Sequence, residues 1–298
     1  MAKRAFLWVT VFLLFAPLRL QAQDDLQVIT ADNAAQLQEL ARYGDGVLTG
    51  ALAWSPDGNT LAVGGTLGVW LYDATDWEAE PRFLEFGAEV RDLAFTPDGT
   101  LLAIQYGDSV HFWDIENAVE QASYSGKDSF AISPDGQLLA VGSSAYSELG
   151  SYWSTIQLYD LTTRDQLVTL EEDGGTRVVK LEFSADNSLL NATIGVDGDY
   201  SGCYRDDHQF TRIWDVSHLE ELTPTSEPIV NVQATGLGRL LGTDMSADGT
   251  MMVAGTHAIL NPQTGAELVQ LEGLTRYDAA AFSPDSRLLM LNDNVEFN

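Results

Sequence analysis

Six times between Ser55 and Ser286 the chain returns to one four-residue turn. The copies are Ser55-Pro56-Asp57-Gly58, Thr96-Pro97-Asp98-Gly99, Ser133-Pro134-Asp135-Gly136, Ser184-Ala185-Asp186-Asn187, Ser246-Ala247-Asp248-Gly249 and Ser283-Pro284-Asp285-Ser286. Pro second and Gly fourth suit a type I turn, because Pro presets φ and Gly accepts the backbone that follows. The steps between turns are 41, 37, 51, 62 and 37 residues, bracketing the roughly 40–45 residues of one four-stranded repeat. An alternating apolar strand precedes each turn, ending at Trp54, Phe95, Ile132, Phe183, Met245 or Phe282, and a short apolar run follows. The best-preserved unit, Val90–Ile115, supplies strands at Val90–Phe95, Leu101–Gln105 and Val110–Trp113. A fourth, less regular strand is predicted near Glu120–Tyr124.

One sheet of four short strands cannot bury both of its faces, so successive sheets must stack and share their cores. The predicted fold is therefore all-β, a β-propeller of about six four-stranded antiparallel blades. The third strand of the repeat ends in an aromatic-Asp pair: Tyr72-Asp73, Trp113-Asp114, Tyr159-Asp160 and Trp214-Asp215. On these residues the chain resembles the WD40-repeat β-propeller family from about Leu37 to Asn298, in a diverged, exported bacterial form. The resemblance implies structural roles for these eight residues, and a scaffold that binds a protein or peptide through one face. Trp113 and Trp214 are both expected to be buried between blades. The family's Gly-His pair is replaced by Gly44-Asp45, Gly87-Ala88, Gly126-Lys127 and Gly273-Leu274, so apolar packing must hold the blades. The fifth unit has only Ile259-Leu260-Asn261-Pro262 in place of the aromatic-Asp pair and is the least regular.

Residues Met1–Ala22 read as a signal peptide: Lys3 and Arg4, an apolar run from Ala5 to Pro17, and Ala22 at the cut. The run is too short to span a membrane, so a secreted or periplasmic protein is expected, with no stable membrane insertion after cleavage. Cys203 is the only cysteine, which excludes an internal disulfide; an exported chain without one fits a bacterial source. Residues 23–45 form a lead-in and 46–298 the propeller. Ala31–Ala41 has a helical pattern, but a strand at Leu37–Tyr43 matches the outermost strands expected at Gln166–Leu170 and Glu267–Leu271. The last unit offers strands at Tyr277–Phe282 and Leu288–Leu291 and a start at Val295–Asn298. Two readings stay open: Leu37–Tyr43 completes that blade and closes the ring, or the chain stops within a blade.

The chain carries 44 acidic and 15 basic residues, a formal net charge of −29; removing Lys3, Arg4 and Arg19 with the leader makes it −32. Nucleic acid is excluded as a partner, because binding phosphates needs a basic face, and anionic membranes are disfavoured likewise. Against this background Arg91, Arg177, Arg239 and Arg276 fall at or just before the first strand of four units. In a propeller those starts face one end of the channel, where guanidinium groups would grip an acidic peptide by paired hydrogen bonds. The rival reading pairs each with a local carboxylate, as Arg91 with Asp92 or Glu89.

Catalytic signals are few. None of His111, His208, His218 and His257 lies in an H-E-x-x-H motif or beside a G-x-S-x-G turn. A non-catalytic scaffold is expected, with a metal-dependent hydrolase or the docking portion of a larger protein as alternatives. No cofactor is expected beyond one candidate calcium loop. There Asp197, Asp199, Ser201 and Gly202 have the spacing of a cation loop, but His208 stands where a bidentate Glu belongs, which favours a plain acidic turn.

Overall fold

The computed structural model describes residues 47–146, 152–172, 176–196, 209–233, 243–254, 258–271 and 277–293. The chain divides into two compact units, Met1–Gly44 and Asp45–Asn298, and every described residue belongs to the second. The strands run in sequence order through six antiparallel sheets. The first holds β1 (Leu48–Trp54), β2 (Thr60–Gly65), β3 (Gly68–Asp73) and β4 (Arg82–Glu85). The second holds β5 (Val90–Phe95), β6 (Leu101–Tyr106), β7 (Ser109–Asp114) and β8 (Val119–Ser125). The third holds β9 (Ser129–Ile132), β10 (Leu138–Tyr146), β11 (Tyr152–Asp160) and β12 (Gln166–Glu172). The fourth holds β13 (Thr176–Phe183), β14 (Leu189–Val196), β15 (Gln209–Asp215) and β16 (Val230–Gln233). The fifth holds β17 (Thr243–Met245), β18 (Met252–Ala254), β19 (Ala258–Leu260) and β20 (Glu267–Gln270). In the sixth, the described residues form β21 (Tyr277–Phe282) and β22 (Leu289–Asp293). The expected strands at Leu37–Tyr43 and 295–298 lie outside the described residues. The irregular fifth unit is a full four-stranded sheet, and the segment after Leu222 yields its strand at β16.

The turn tetrad owes its six-fold recurrence to one set of hydrogen bonds. In each copy the fourth residue donates its amide to the first residue's carbonyl, at 2.8 or 2.9 Å. The Ser or Thr hydroxyl donates to the Asp carboxylate two residues on, for example Ser133 to Asp135 at 2.6 Å and Thr96 to Asp98 at 2.6 Å. The same hydroxyl accepts the amide that opens the next strand, as Ser184 does from Leu189 at 2.9 Å. Gly occupies the fourth place in four copies, with φ of +73° at Gly58, Gly99 and Gly136 and +67° at Gly249. Asn187 (φ +61°) and Ser286 (φ +58°) replace it in the other two. Each offsets the backbone strain with a bond to the preceding sheet: Asn187 Oδ1 accepts the Asp135 amide at 3.2 Å and Ser286 Oγ the Asp248 amide at 3.1 Å.

These turns make the fold acid-sensitive. The hydroxyl donated to each carboxylate holds Asp57, Asp98, Asp186, Asp248 and Asp285 below their ordinary 3.8. A carboxylate depressed on folding contributes stability above its unfolded pKa and loses it as pH falls through the folded one. The melting temperature should therefore drop as pH falls from about 4 towards about 2, and Ser184→Ala with Ser55→Ala should flatten the drop. A melting temperature unchanged over that range would contradict it.

The core lies between sheets, as stacking requires. Ala51, Val69 and Leu84 of the first sheet pack with Val90, Leu93 and Leu102 of the second. Phe112 and Tyr124 pack with Phe130 and Leu139 across the next junction. Ile156, Leu158 and Leu170 meet Val178, Phe183 and Trp214 between the third and fourth sheets. Ile213 and Val230 meet Met245, Met252 and Leu260 between the fourth and fifth. Glycines permit close approach between sheets: Val90 sits over Gly64, and Val178 over Gly142, where a side chain would collide.

Candidate functional site at the strand starts

Two of the strands that begin sheets, β5 and β13, carry both a bulge and a basic residue. In β5, Val90 pairs with Tyr106 and Asp92 with Gln105, so Arg91 is the extra residue. In β13, Val178 pairs with Ile194 and Lys180 with Thr193, so Val179 is the extra residue, while Arg177 stays in register opposite Gly195 on the exposed side of the alternation. A bulge turns its extra residue out of the pleat. Val90 and Val178 are fully buried against the preceding sheet, which leaves the flanking Arg91 and Arg177 exposed.

Arg91 Nη1 donates to the carbonyl of Lys127 at 3.2 Å, tying the second sheet to the loop that opens the third. The local pairings with Asp92 or Glu89 are not made. Lys127 is itself exposed, and the next residue, Asp128, faces Arg177 of the fourth sheet. Burial raises the pKa of Asp128, against the hydroxyl of Ser144, which donates to it at 3.1 Å, and the charges of Arg177 and Lys127. Its Oδ2 is buried without a hydrogen-bond partner. Arg91, Lys127 and Arg177 thus come from three consecutive sheets to one end. Among the described residues none of the three forms an ion pair within 4.0 Å.

Of the four arginines expected to converge, Arg91 and Arg177 are brought together through Lys127–Asp128; Arg239 and Arg276 lie outside the described residues. So do Asp197, Asp199, Ser201 and His208 of the candidate calcium loop. Among the described residues no three His, Cys, Asp or Glu side chains gather as a metal ligand set, and no helix is long and apolar enough to cross a membrane. Sequence reasoning passed over Lys127. Its signal was there: it is one of only two lysines after residue 22, the other being Lys180. At the opposite, turn-bearing end, a cleft of about 220 Å³ between the second and third sheets is lined by Phe112, Tyr124, Thr100 and Arg164.

The aromatic-Asp pairs end the third strands of the first four sheets, and the two aromatics expected to be buried differ in their burial. Each Asp caps the hairpin after its strand: Asp73 accepts from Thr75, Asp114 from Asn117, Asp160 from Thr162 and Thr163, and Asp215 from Ser217. Asn261 does the same in the fifth sheet, accepting from Gln263 at 2.9 Å. Trp214 and Tyr72 are buried, but Trp113 and Tyr159 are only half-buried. Trp113 leans on Phe86, with ring centroids 5.0 Å apart, and is not enclosed between sheets as Trp214 is. His111 stacks on Tyr106 and contacts Glu120 at 3.1 Å, as a packed rim residue.

No protein-family model matches the chain, and no curated protein matches it in sequence. Among solved structures it is similar to the Cps50 (Swd1) beta-propeller domain of Myceliophteria thermophila, at 19% identity over 84% of this chain and 81% of that one, with a TM-score of 0.60. The chain folds as a β-propeller. It is also similar to hydrazine synthase of Kuenenia stuttgartiensis, at 13% identity over 82% and 80% of the two chains, with a TM-score of 0.61. Identities this low show the fold alone. In propeller terms the basic end joins the starts of blades two, three and four.

Proposed function

We propose that this propeller is a non-catalytic, exported scaffold that grips an acidic segment of a partner protein at Arg91, Lys127 and Arg177. One observation carries the reading: three exposed cations from three blades share one end around the single carboxylate of Asp128, with none in an ion pair within 4.0 Å among the described residues, in a chain with 44 acidic residues. Three cations around one carboxylate leave an excess of positive charge, and a carboxylate-rich ligand neutralises that excess while gaining charge-assisted hydrogen bonds. Export is supported by the leader-like Met1–Ala22, and the scaffold role by the resemblance to WD40 repeats.

A ten-residue glutamate peptide, followed by fluorescence anisotropy at low salt, tests it. The rest of the surface repels such a probe, so any binding reports a local basic site. Arg91→Glu with Arg177→Glu should weaken binding at least about tenfold, as loss of charge-assisted bonds does, with the melting temperature nearly unchanged. Equal binding by the variant, or none by the parent, would overturn the proposal. A collapsed melting temperature would do the same, by making the arginines structural.

A further inference from the structure

Two residues before the turn Ser or Thr, four blades carry Ala: Ala53, Ala94, Ala131 and Ala281. The remaining two, consecutive in the chain, carry Glu182 and Asp244, and Lys180 lies two residues before Glu182. The propeller brings these three together. Lys180 Nζ lies 3.4 Å from Glu182 Oε2 and 3.6 Å from Asp244 Oδ1, and donates to the carbonyl of Thr243 at 2.7 Å. Asp244 Oδ2 accepts the amide of Phe282, in blade six, at 2.7 Å. The hydroxyls of Thr193 and Thr243 add a 2.7 Å contact between blades four and five. One polar chain therefore links blades four, five and six where the other blades place a methyl group.

The charges facing Glu182 are Lys180 on its own strand and Asp244 on β17. Its neighbour on β14 is the neutral Asn191, and β9, on the other side, holds Ser129–Ile132 with no ionisable group. The Glu182 and Asp244 side chains keep 23% and 20% of their surface in contact with water, so protons reach a site too crowded to solvate two charges well.

We propose that Lys180, Glu182 and Asp244 form a proton-operated clasp between blades four, five and six. With a proton on Glu182, its O–H donates to Asp244, whose charge Lys180 balances, and Asp244 holds the Phe282 amide. Losing that proton sets two negative carboxylates side by side, and the single charge of Lys180, which lies near both, neutralises only one. Burial, reinforced by Asp244 and opposed by Lys180, moves Glu182 from 4.5 to about 7, so the change falls near neutral pH. A pKa raised on folding contributes stability below the unfolded value and loses it as pH rises through the folded one. The clasp is tight below neutrality and loosens above it.

Amide hydrogen exchange at Phe282 in the full chain, corrected for the intrinsic rate, reads the clasp directly. Between pH 6 and pH 8 its protection should fall about tenfold, the ratio set by these two pKa values. Glu182→Gln keeps the donor to Asp244 without the titration and should hold protection level over that range. Glu182→Ala, the residue of four other blades, should do likewise if the amide packs badly. An unchanged pH response in both variants, or no response in the parent, would overturn the proposal.

Discussion

Replacing Trp214 by alanine is expected to cost about 3–5 kcal/mol of stability, the range for deleting a large buried aromatic. Trp214 is 1% exposed and fills the space between blades three and four with Leu158, Leu170 and Phe183. Its indole N–H also donates to the carbonyl of Ser226 at 3.1 Å, which pins the connection leading into β16. The substitution therefore opens a cavity and strips a loop carbonyl of its donor. Trp113→Ala, at the equivalent place in blade two, should cost less, about 1–3 kcal/mol, because its ring is half-buried. Urea unfolding measures both, and a loss under about 1 kcal/mol at Trp214 would show that the ring is not part of the inter-blade core.

The second large effect is expected at Gly142. A Cβ there would stand 2.7 Å from Val178 Cβ and Cγ1 and 3.2 Å from Cγ2. Val178 is itself fully buried, so it has nowhere to retreat. Gly142→Ala should destabilise by about 1–3 kcal/mol through overpacking. Val178→Ala also destabilises, but the double variant should cost less than the two single changes together, because removing the valine methyls admits the new one. Simple additivity in urea unfolding would mean that blades three and four are not in contact there. Gly64 and Val90 repeat the arrangement between blades one and two, with Val90 Cγ1 at 2.9 Å, so the same coupling is expected at that junction.

Both expected effects rest on apolar packing between blades. Small residues in the second strand let the next blade's first strand approach, and the Val that fills the gap turns its neighbour Arg outward. Packing between blades and the basic end are thus consequences of one local arrangement. The carboxylate clasp is the exception, a polar junction placed where the repeat otherwise uses Ala.

What the sequence determined by itself was the repeat. Turn tetrads are local chemistry: Ser, Pro, Asp and Gly satisfy one another within six residues, so their spacing was readable without any fold, and with it the sheet count and the strand order. The hairpin-capping Asp73, Asp114, Asp160 and Asp215 were legible for the same reason. The tertiary structure alone decided which side chains meet across blades. Trp113 and Trp214 occupy the same place in the repeat, yet only Trp214 is enclosed, because enclosure depends on the neighbouring blade and on the connection that Ser226 carries. Lys127 joins Arg91 and Arg177, and Glu182 meets Asp244 across 62 residues of chain, because stacked blades bring equivalent strand positions together irrespective of the length of chain between them. A repeat fixes each residue's address within its own blade; the contacts between addresses exist only once the blades are stacked.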